Sequence, residues 1–349
     1  MSEITPKLTV LMSVYNGDKF LERAIESILN QTYQDFEFII INDGSIDNSI
    51  QILKKYEQTD KRICVYEQEN KGLIASLNRG CRLARGEYIA RMDADDISLP
   101  RRFEKQINYL DSHTEIGILG TWANVIDIQG NPKDVLCFPI SDILIKWSLI
   151  FKNCIVHPSV MMRRIIVENL NCYRPQALHV EDYDLWTRAL KITQIANLPE
   201  ILLSYTNHGD SICTQHSETQ QKNAVNLVIH PRIKQLLGTE PDVETVFNLR
   251  EMTMGSFPEK LFQIETLVKL IIQLKRVYLK QNYSCSADKA EISHDVGNKI
   301  YNLANKALNF SISRGLLIYI KAITQNPMLI LSPQIFATAT KTLLGKFRK

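Results

Sequence analysis

The chain has 349 residues, of which 45% are hydrophobic and 23% charged, with seven cysteines and a formal net charge of +3. This is an ordinary globular balance, and it excludes a disordered, fibrous or repeat-built protein. The small net charge hides an asymmetry. Eight of the 41 Lys/Arg lie between Val296 and Lys349, where there is no Asp or Glu, leaving 33 basic against 38 acidic residues elsewhere. An acidic body and a basic tail point to different tasks.

The opening MSEITPKLTV lacks the basic and apolar regions of a secretory signal. No run approaches the ~18 apolar residues of a spanning helix. The cysteines form no CxxC pair, which argues against structural zinc and a disulfide framework. Reduced thiols and a cytoplasmic location are expected.

Leu8–Tyr15 predicts a strand ended by Asn16-Gly17. Phe20, Leu21, Ala24, Ile25, Ile28 and Leu29 then recur at helical spacing, with Asp18 placed to cap that helix. Phe36–Ile41 is an apolar strand interrupted only by Glu37, and it stops at the turn-forming Asn42-Asp43-Gly44-Ser45. The following helix turns Ile50, Leu53 and Tyr56 inward. Ile63–Glu67 predicts a third strand, Leu73–Ala84 a third helix and Tyr88–Met92 a fourth strand. That strand runs into RMDADDISLP, where Asp93, Asp95 and Asp96 crowd into four positions.

Strands alternating with helices over this length predict an α/β fold, a parallel sheet wrapped by helices. In such sheets ligands bind beyond the carboxyl ends of the strands. Three polar clusters fall there: Tyr15-Asn16, Asn42 to Ser45, and Asp93 to Asp96. They are expected to converge on one crevice. Beyond Pro100 the pattern is mixed: a helix over Arg101–Leu110, strands over Ile116–Leu119 and Val125–Ile128, and a short strand over Ile201–Tyr205. Glu181-Asp182-Tyr183-Asp184 opens a helix with acids where its dipole favours them. From about His216 onward the chain reads as helices, with Leu261–Tyr278 strongly amphipathic. The expected division is a catalytic domain over 1–215 and a mainly helical region over 216–349.

The chemistry has a functional and a plain reading at each cluster. Asp93 and Asp95 supply the oxygen ligands that Mg²⁺ or Mn²⁺ prefers while leaving positions for a diphosphate. The plain alternative is a solvated, capped turn. The Asp43 carboxylate can accept the N3–H of a uracil ring on which Tyr15 stacks, or belong to an ordinary strand-to-helix turn. A carboxylate of Glu181-Asp182 can act as general base, or the acids simply favour a helix start. His157-Pro158-Ser159 and His208-Gly209-Asp210-Ser211 each carry a histidine. A lone histidine is more often structural, but imidazole can fill a metal position that two aspartates leave open.

Taken together, TVLMSVYNGDKFLERAIESILNQTYQDFEFIIINDGS, ENKGLIASLNRG, ARGEYIARMDADDISLPRRFEKQ, HPSVMMRR, EDYDLWTRAL and NHGDSI resemble the GT-A fold family 2 glycosyltransferases, in the family's order, over about residues 7 to 213. The resemblance implies a GT-A fold, a Rossmann-like nucleotide-diphospho-sugar transferase, here with a C-terminal helical extension. It implies a nucleotide-diphospho-sugar donor, most often UDP-linked, and Mn²⁺ or Mg²⁺. On this reading Ser13, Tyr15, Asn16, Asp43 and Asp93 bind the nucleotide, Asp95 and His208 the metal, and Asp182 is the base of an inverting displacement. Glu181, His157 and Asp96 are assigned to the acceptor or donor sugar. The acceptor is expected to be a glycan or lipid-linked glycan in cell-surface polysaccharide biosynthesis. One departure is visible: Asn42 stands where the family often has Asp, before Asp43-Gly44-Ser45.

A dehydrogenase would need GxGxxG after the first strand, where this chain reads Val14-Tyr15-Asn16-Gly17-Asp18. A non-catalytic sugar-nucleotide binder would be expected to lose Asp95 or Asp182. A polyprenyl-phosphate sugar synthase, with a lipid phosphate as acceptor, would have less need of Asp182. Near the C-terminus Leu316, Leu317, Ile318, Ile320, Leu343, Leu344 and Phe347 lie among Lys321, Lys341, Lys346, Arg348 and Lys349. Such a basic amphipathic segment suits the anionic inner face of a membrane, or else packs as a helical domain. Nothing suggests a nucleic-acid partner.

Overall fold

The computed structural model describes residues 5–208, 216–282 and 285–331. Its first elements are β1 (Leu8–Val14), α1 (Asp18–Leu29), β2 (Phe36–Asn42), α2 (Ser49–Thr59), β3 (Ile63–Glu67), α3 (Leu73–Leu83) and β4 (Tyr88–Asp93). The four strands run parallel in the order β3-β2-β1-β4. β2 is buried at every position and β1 at all but Ser13, so both read as continuous apolar runs. Glu37 survives in β2 because both oxygens of its carboxylate accept hydrogen bonds. It accepts from the Thr9 hydroxyl at 2.7 Å, the Arg85 amide at 2.8 Å and Arg85 Nε at 2.8 Å.

Asp18 does not cap α1. Gly17 holds the cap position and Asp18 is the first helical residue. The Asp18 amide is satisfied by Asp47, whose Oδ2 accepts it at 3.0 Å; helix-start amides need such partners.

The sheet continues through β5 (Ile97–Ser98), β6 (Ile116–Ile126), β7 (Pro132–Leu136), β8 (Met161–Arg163) and β9 (Gln194–Thr206), with α4 (Arg102–Ser112), α5 (Asp142–Ser148), α6 (Arg164–Asn169) and α7 (Glu181–Ala189) between them. The complete order is β3-β2-β1-β4-β8-β6-β9-β5, with β7 on β6. β8 runs antiparallel to both β4 and β6, so the expected parallel sheet is mixed. The two strands expected over Ile116–Leu119 and Val125–Ile128 are one strand. β6 stays paired with β9 from Ile116 to Ile126, and the ladder absorbs the polar stretch by shifting register at Trp122. For the same reason Ile201–Tyr205 is only the second half of a thirteen-residue strand.

Two compact units divide the chain. The first runs to Ile145 and resumes over Asn153–Ala224; the second takes Lys146–Lys152 and continues from Val225. The first holds the whole sheet and α8 (Ser217–Asn223). The second is helical: α9 (His230–Leu237), α10 (Val243–Thr253), α11 (Leu261–Gln281), α12 (Ser286–Leu308) and α13 (Ile312–Gln325), closing on a 3₁₀ turn at Pro327–Leu331. Its core is a helical stripe, with Ile264, Leu267, Val268, Ile271 and Leu274 of α11 and Ile292, Val296, Ile300 and Leu303 of α12 all buried. Among the described residues no helix is long and apolar enough to cross a membrane.

Candidate active site

The three polar clusters share one edge of the sheet. The register sets Ser13 beside Asp93 across β1 and β4, and Val14 beside Asn42 across β1 and β2. Asp43 follows directly and is buried. Its Oδ1 accepts from Gln68 Nε2 at 2.7 Å and the Lys71 amide at 2.9 Å, and its Oδ2 from the Gly72 amide at 2.8 Å. A carboxylate offers about four acceptor positions, so one remains. Gly44 is in the left-handed region at φ 73°, and a Cβ there would lie 2.7 Å from the Asn70 amide nitrogen. Only glycine fits that turn. Asn16 is also left-handed, at φ 51°. Its Oδ1 accepts from the Ile46 amide at 2.9 Å and its own amide donates to Ser45 Oγ at 3.1 Å. Tyr15 stands at this rim with its side chain exposed.

Carboxylate oxygens of Asp93, Asp95 and Asp96 lie within 4.8 Å of one another. His208 Nε2 is 2.8 Å from Asp95 Oδ2, so the predicted metal pair does meet. The rest of that motif, Gly209 to Ser211, lies outside the described residues. Asp93 pairs with the buried guanidinium of Arg91. Asp96 accepts the Thr206 amide at 2.8 Å through Oδ1, while among the described residues its buried Oδ2 has no partner. Arg23 ties the loop down, donating to the Asp95 carbonyl at 3.2 Å and to Thr206 Oγ1 at 3.0 Å. Burial pushes the Asp96 carboxyl well up, and its two acidic neighbours push it further. Burial raises Asp93 as well, opposed by Arg91. Clustered oxygen donors, an imidazole at the edge and an orphaned buried carboxylate oxygen fit a hard divalent cation of the Mn²⁺ or Mg²⁺ type.

A cleft of about 310 Å³ opens beside this cluster. Asp93 and Asp95 line it together with Glu181 and Asp182, His157 and Arg91. The first turn of α7 presents Glu181 and Asp182. Asp182 accepts from Asn153 Nδ2 and from the Tyr183 amide, each at 2.6 Å. Burial raises its carboxyl to about 6, against those donors and Arg91. Burial and then the neighbouring Asp182 raise Glu181 to about 7. His157 meets the Tyr173 hydroxyl at 3.0 Å, and burial followed by Arg91 holds its pKa well below the ordinary value. It is a neutral imidazole in the wall. Asp96 does not line this cleft, nor do Ser13, Tyr15, Asn16 and Asp43 of the rim.

Several lining residues escape the sequence reading. Among the described residues, Arg91 is the one Lys or Arg in the lining. Asn153 orients Asp182 from 29 positions away. His179, immediately before Val180-Glu181-Asp182, is left-handed at φ 65°, an uncommon setting for a non-glycine residue. It is held there from α8: Gln220 Nε2 donates to the His179 carbonyl at 3.0 Å and Asn223 Nδ2 to that of Leu178 at 2.8 Å. The His179 ring stacks on His216 at 4.3 Å.

A parallel nucleotide-type sheet extended by antiparallel strands, with acids at the strand ends and a cleft beside them, is the architecture of the GT-A transferases. The crystal structure of S. aureus TarS residues 1–349 in complex with UDP-GlcNAc shares it, with a TM-score of 0.56 over 90% of each chain at 15% identity. Sequence then fixes the family. The glycosyl transferase family 2 model matches residues 9–170. The O-antigen biosynthesis glycosyltransferase WbnJ of Escherichia coli is 37% identical over 212 residues, covering 60% of this chain and 82% of that protein. The amylovoran biosynthesis glycosyltransferase AmsE of Erwinia amylovora is 33% identical over 224 residues, covering 63% and 83%. This chain belongs to glycosyl transferase family 2.

Proposed function

We propose that the chain transfers a sugar from a UDP-linked donor to a hydroxyl of a glycan acceptor, with inversion at the anomeric carbon. The observation that carries this reading is one cleft lined both by Asp182, a carboxylate raised to about 6, and by the strand-end acids Asp93 and Asp95. A base with a pKa just below neutrality is ionised at pH 7 and still basic enough to take a proton.

Asp182, oriented by Asn153 and the Tyr183 amide, accepts the proton of the acceptor hydroxyl as that oxygen bonds to the anomeric carbon. The bond from that carbon to the diphosphate oxygen breaks, and the nucleoside diphosphate leaves from the opposite face. The free acceptor position on Asp43 takes the uracil N3–H, Tyr15 stacks on the ring, Ser13 and Asn16 shape the rim, and Asp93 meets the ribose. Asp95 and His208 would hold Mn²⁺ or Mg²⁺, and a cation bound there offsets the charge gathering on the leaving diphosphate. Glu181 and His157 border the sugars. Asp96, buried and bonded to Thr206, is better suited to fixing the loop that carries Asp95 than to touching a sugar.

The relatives named for O-antigen and amylovoran biosynthesis support a role in cell-surface polysaccharide assembly. We place the work in the cytoplasm, on the inner membrane face, because α13 exposes Leu316, Leu317 and Ile320 next to Arg314 and Lys321. The predicted basic residues from Lys341 onward lie outside the described residues. Calorimetric titration with UDP, in Mn²⁺ and then in EDTA, followed by turnover of UDP-sugars, tests the reading. Metal-dependent binding supports it. No binding in either condition removes UDP as the donor nucleotide, and binding indifferent to EDTA removes the metal.

A further inference from the structure

The helical unit contains a second cavity, of about 410 Å³. That volume lies within the ~300–1,000 Å³ typical of small-molecule sites. Along α12 it is lined by His294, Asn298, Tyr301 and Asn302, which fall on one helical stripe, and beyond α13 by Asn326. None of these residues lines the transfer cleft.

Asn326 is the informative residue. It is 5% exposed, and among the described residues its side-chain nitrogen has no hydrogen-bond partner. Its backbone is satisfied, donating to the Ala322 carbonyl at 2.9 Å and accepting from the Leu329 amide at 3.1 Å, so only the carboxamide is left over. A buried donor without a partner is destabilising, and such groups are rare in folded proteins. The backbone is arranged to keep it there. A Cβ on Gly297 would lie 2.3 Å from the Asn326 Cβ and 3.2 Å from its amide nitrogen, so α12 admits Asn326 only at a glycine. The facing wall is ordered as well: Asn298 Nδ2 donates to His294 Nδ1 at 3.2 Å, and the Tyr301 ring is set edge-on against Tyr319 at 5.4 Å.

The lining defines the ligand class. Among the described residues it includes no Lys, Arg, Asp or Glu, so these offer nothing to balance a phosphate or a carboxylate. Three carboxamides present donors and acceptors side by side, which matches the vicinal hydroxyls of a sugar. Tyr301 and His294 add ring surface for its C–H groups. We propose that this cavity is a glycan-binding subsite, taking a neutral pyranoside unit of the acceptor or product chain. Its place in the reaction rests on the glycosyltransferase reading above, whereas its test does not.

The experiment is saturation-transfer NMR on the full chain, with methyl β-glucoside, methyl β-galactoside and N-acetylglucosamine as probes at millimolar concentration. We expect at least one probe to bind saturably and to remain bound under saturating UDP with Mn²⁺. Asn302→Ala, at an exposed position, should weaken that probe about two- to tenfold, the worth of one neutral hydrogen bond. Asn326→Ala should abolish binding while leaving the melting temperature unchanged or higher, because it deletes a donor with no partner. Three results overturn the proposal: no saturable response to any probe, binding indifferent to both substitutions, or displacement by UDP. Should Asn326→Ala fail to fold, Asn302→Ala alone decides. Failure of the transfer reading would instead appear as absent UDP-sugar turnover with probe binding intact.

Discussion

Asn153→Ala gives the sharpest test of the base. Asn153 Nδ2 donates to Asp182 Oδ2 at 2.6 Å. A hydrogen bond to the ionised form holds a carboxyl's pKa down, so removing it must raise the pKa. A hydrogen bond to a charged group is worth about 1.5–3 kcal/mol, equivalent to about one to two pKa units. Asn153 borders an open cleft and water will replace part of the lost donor, which places the shift near one unit. Asp182 must be ionised to accept a proton, so turnover is lost as pH falls through its pKa. The low-pH limb of kcat, expected at about 6 in the parent, should therefore move to about 7 with the high-pH plateau retained. Nucleoside diphosphate release, followed across both limbs, is the assay. Glu181→Gln is the control. Asp182 ionises first, and its charge adds to the burial that raises Glu181, so that substitution should leave the limb near 6. A limb that stays put in Asn153→Ala, or moves to lower pH, refutes the assignment of Asp182.

Asp182→Asn should lower kcat by about 10²–10⁴, the usual worth of a general base, with UDP affinity by calorimetry unchanged. Asp95→Ala should reduce UDP binding in Mn²⁺ to the level seen in EDTA, and binding that still responds to Mn²⁺ would move the metal elsewhere. Gly86→Ala tests the fold. Its Cβ would lie 2.5 Å from the Thr9 amide nitrogen and 2.7 Å from the Leu8 carbonyl carbon, backbone atoms that cannot swing away. We expect about 1–3 kcal/mol of destabilisation, read as a lower urea midpoint at unchanged slope.

The first half of the catalytic unit is legible in the sequence because its signals are local. β3 is predicted to the residue, and β1, β2, α3 and β4 each end within one residue of the prediction. Apolar runs stop at Asn16, Asn42 and Asp93, where turn chemistry begins. β5 and β8 are not read, since two and three residues are too short to display a period of two, and β7 is not read because Pro132-Lys133-Asp134 opens it with no apolar side chain to bury; they exist through the strands they pair with. The division of the site follows the same line. Asp43, Asp93, Asp95 and Asp182 announce themselves by clustering at element ends. Asn153 has no such mark, because nothing in the chain between it and Asp182 encodes their meeting. Arg91 sits in plain view beside the aspartates but reads as the interior of an apolar strand.

Arg91 also explains why three carboxylates can be crowded at a strand end. It is 3% exposed and paired with Asp93, which neutralises one of the three. The other arginines nearby do not balance the rest. Arg23 donates to a carbonyl and a hydroxyl. Arg102 donates to the carbonyls of Arg91 and Val160 and to Gln106, and burial, with Arg91 adding to it, lowers its pKa to about 9. Among the described residues, the Asp95 carboxylate is hydrogen-bonded by His208 and that of Asp96 by a backbone amide, and Arg91 reaches Asp96 only through its field. A chain selecting for stability alone would dilute such a cluster, because unpaired buried charge is costly. Here one guanidinium is paired directly, with the acid assigned to the ribose, while Asp95 lines the cleft and, among the described residues, Asp96 Oδ2 is unpaired. That unequal sharing fits a loop in which Asp93 and Asp96 are fixed by protein and Asp95 is left to a divalent ion and the diphosphate it accompanies.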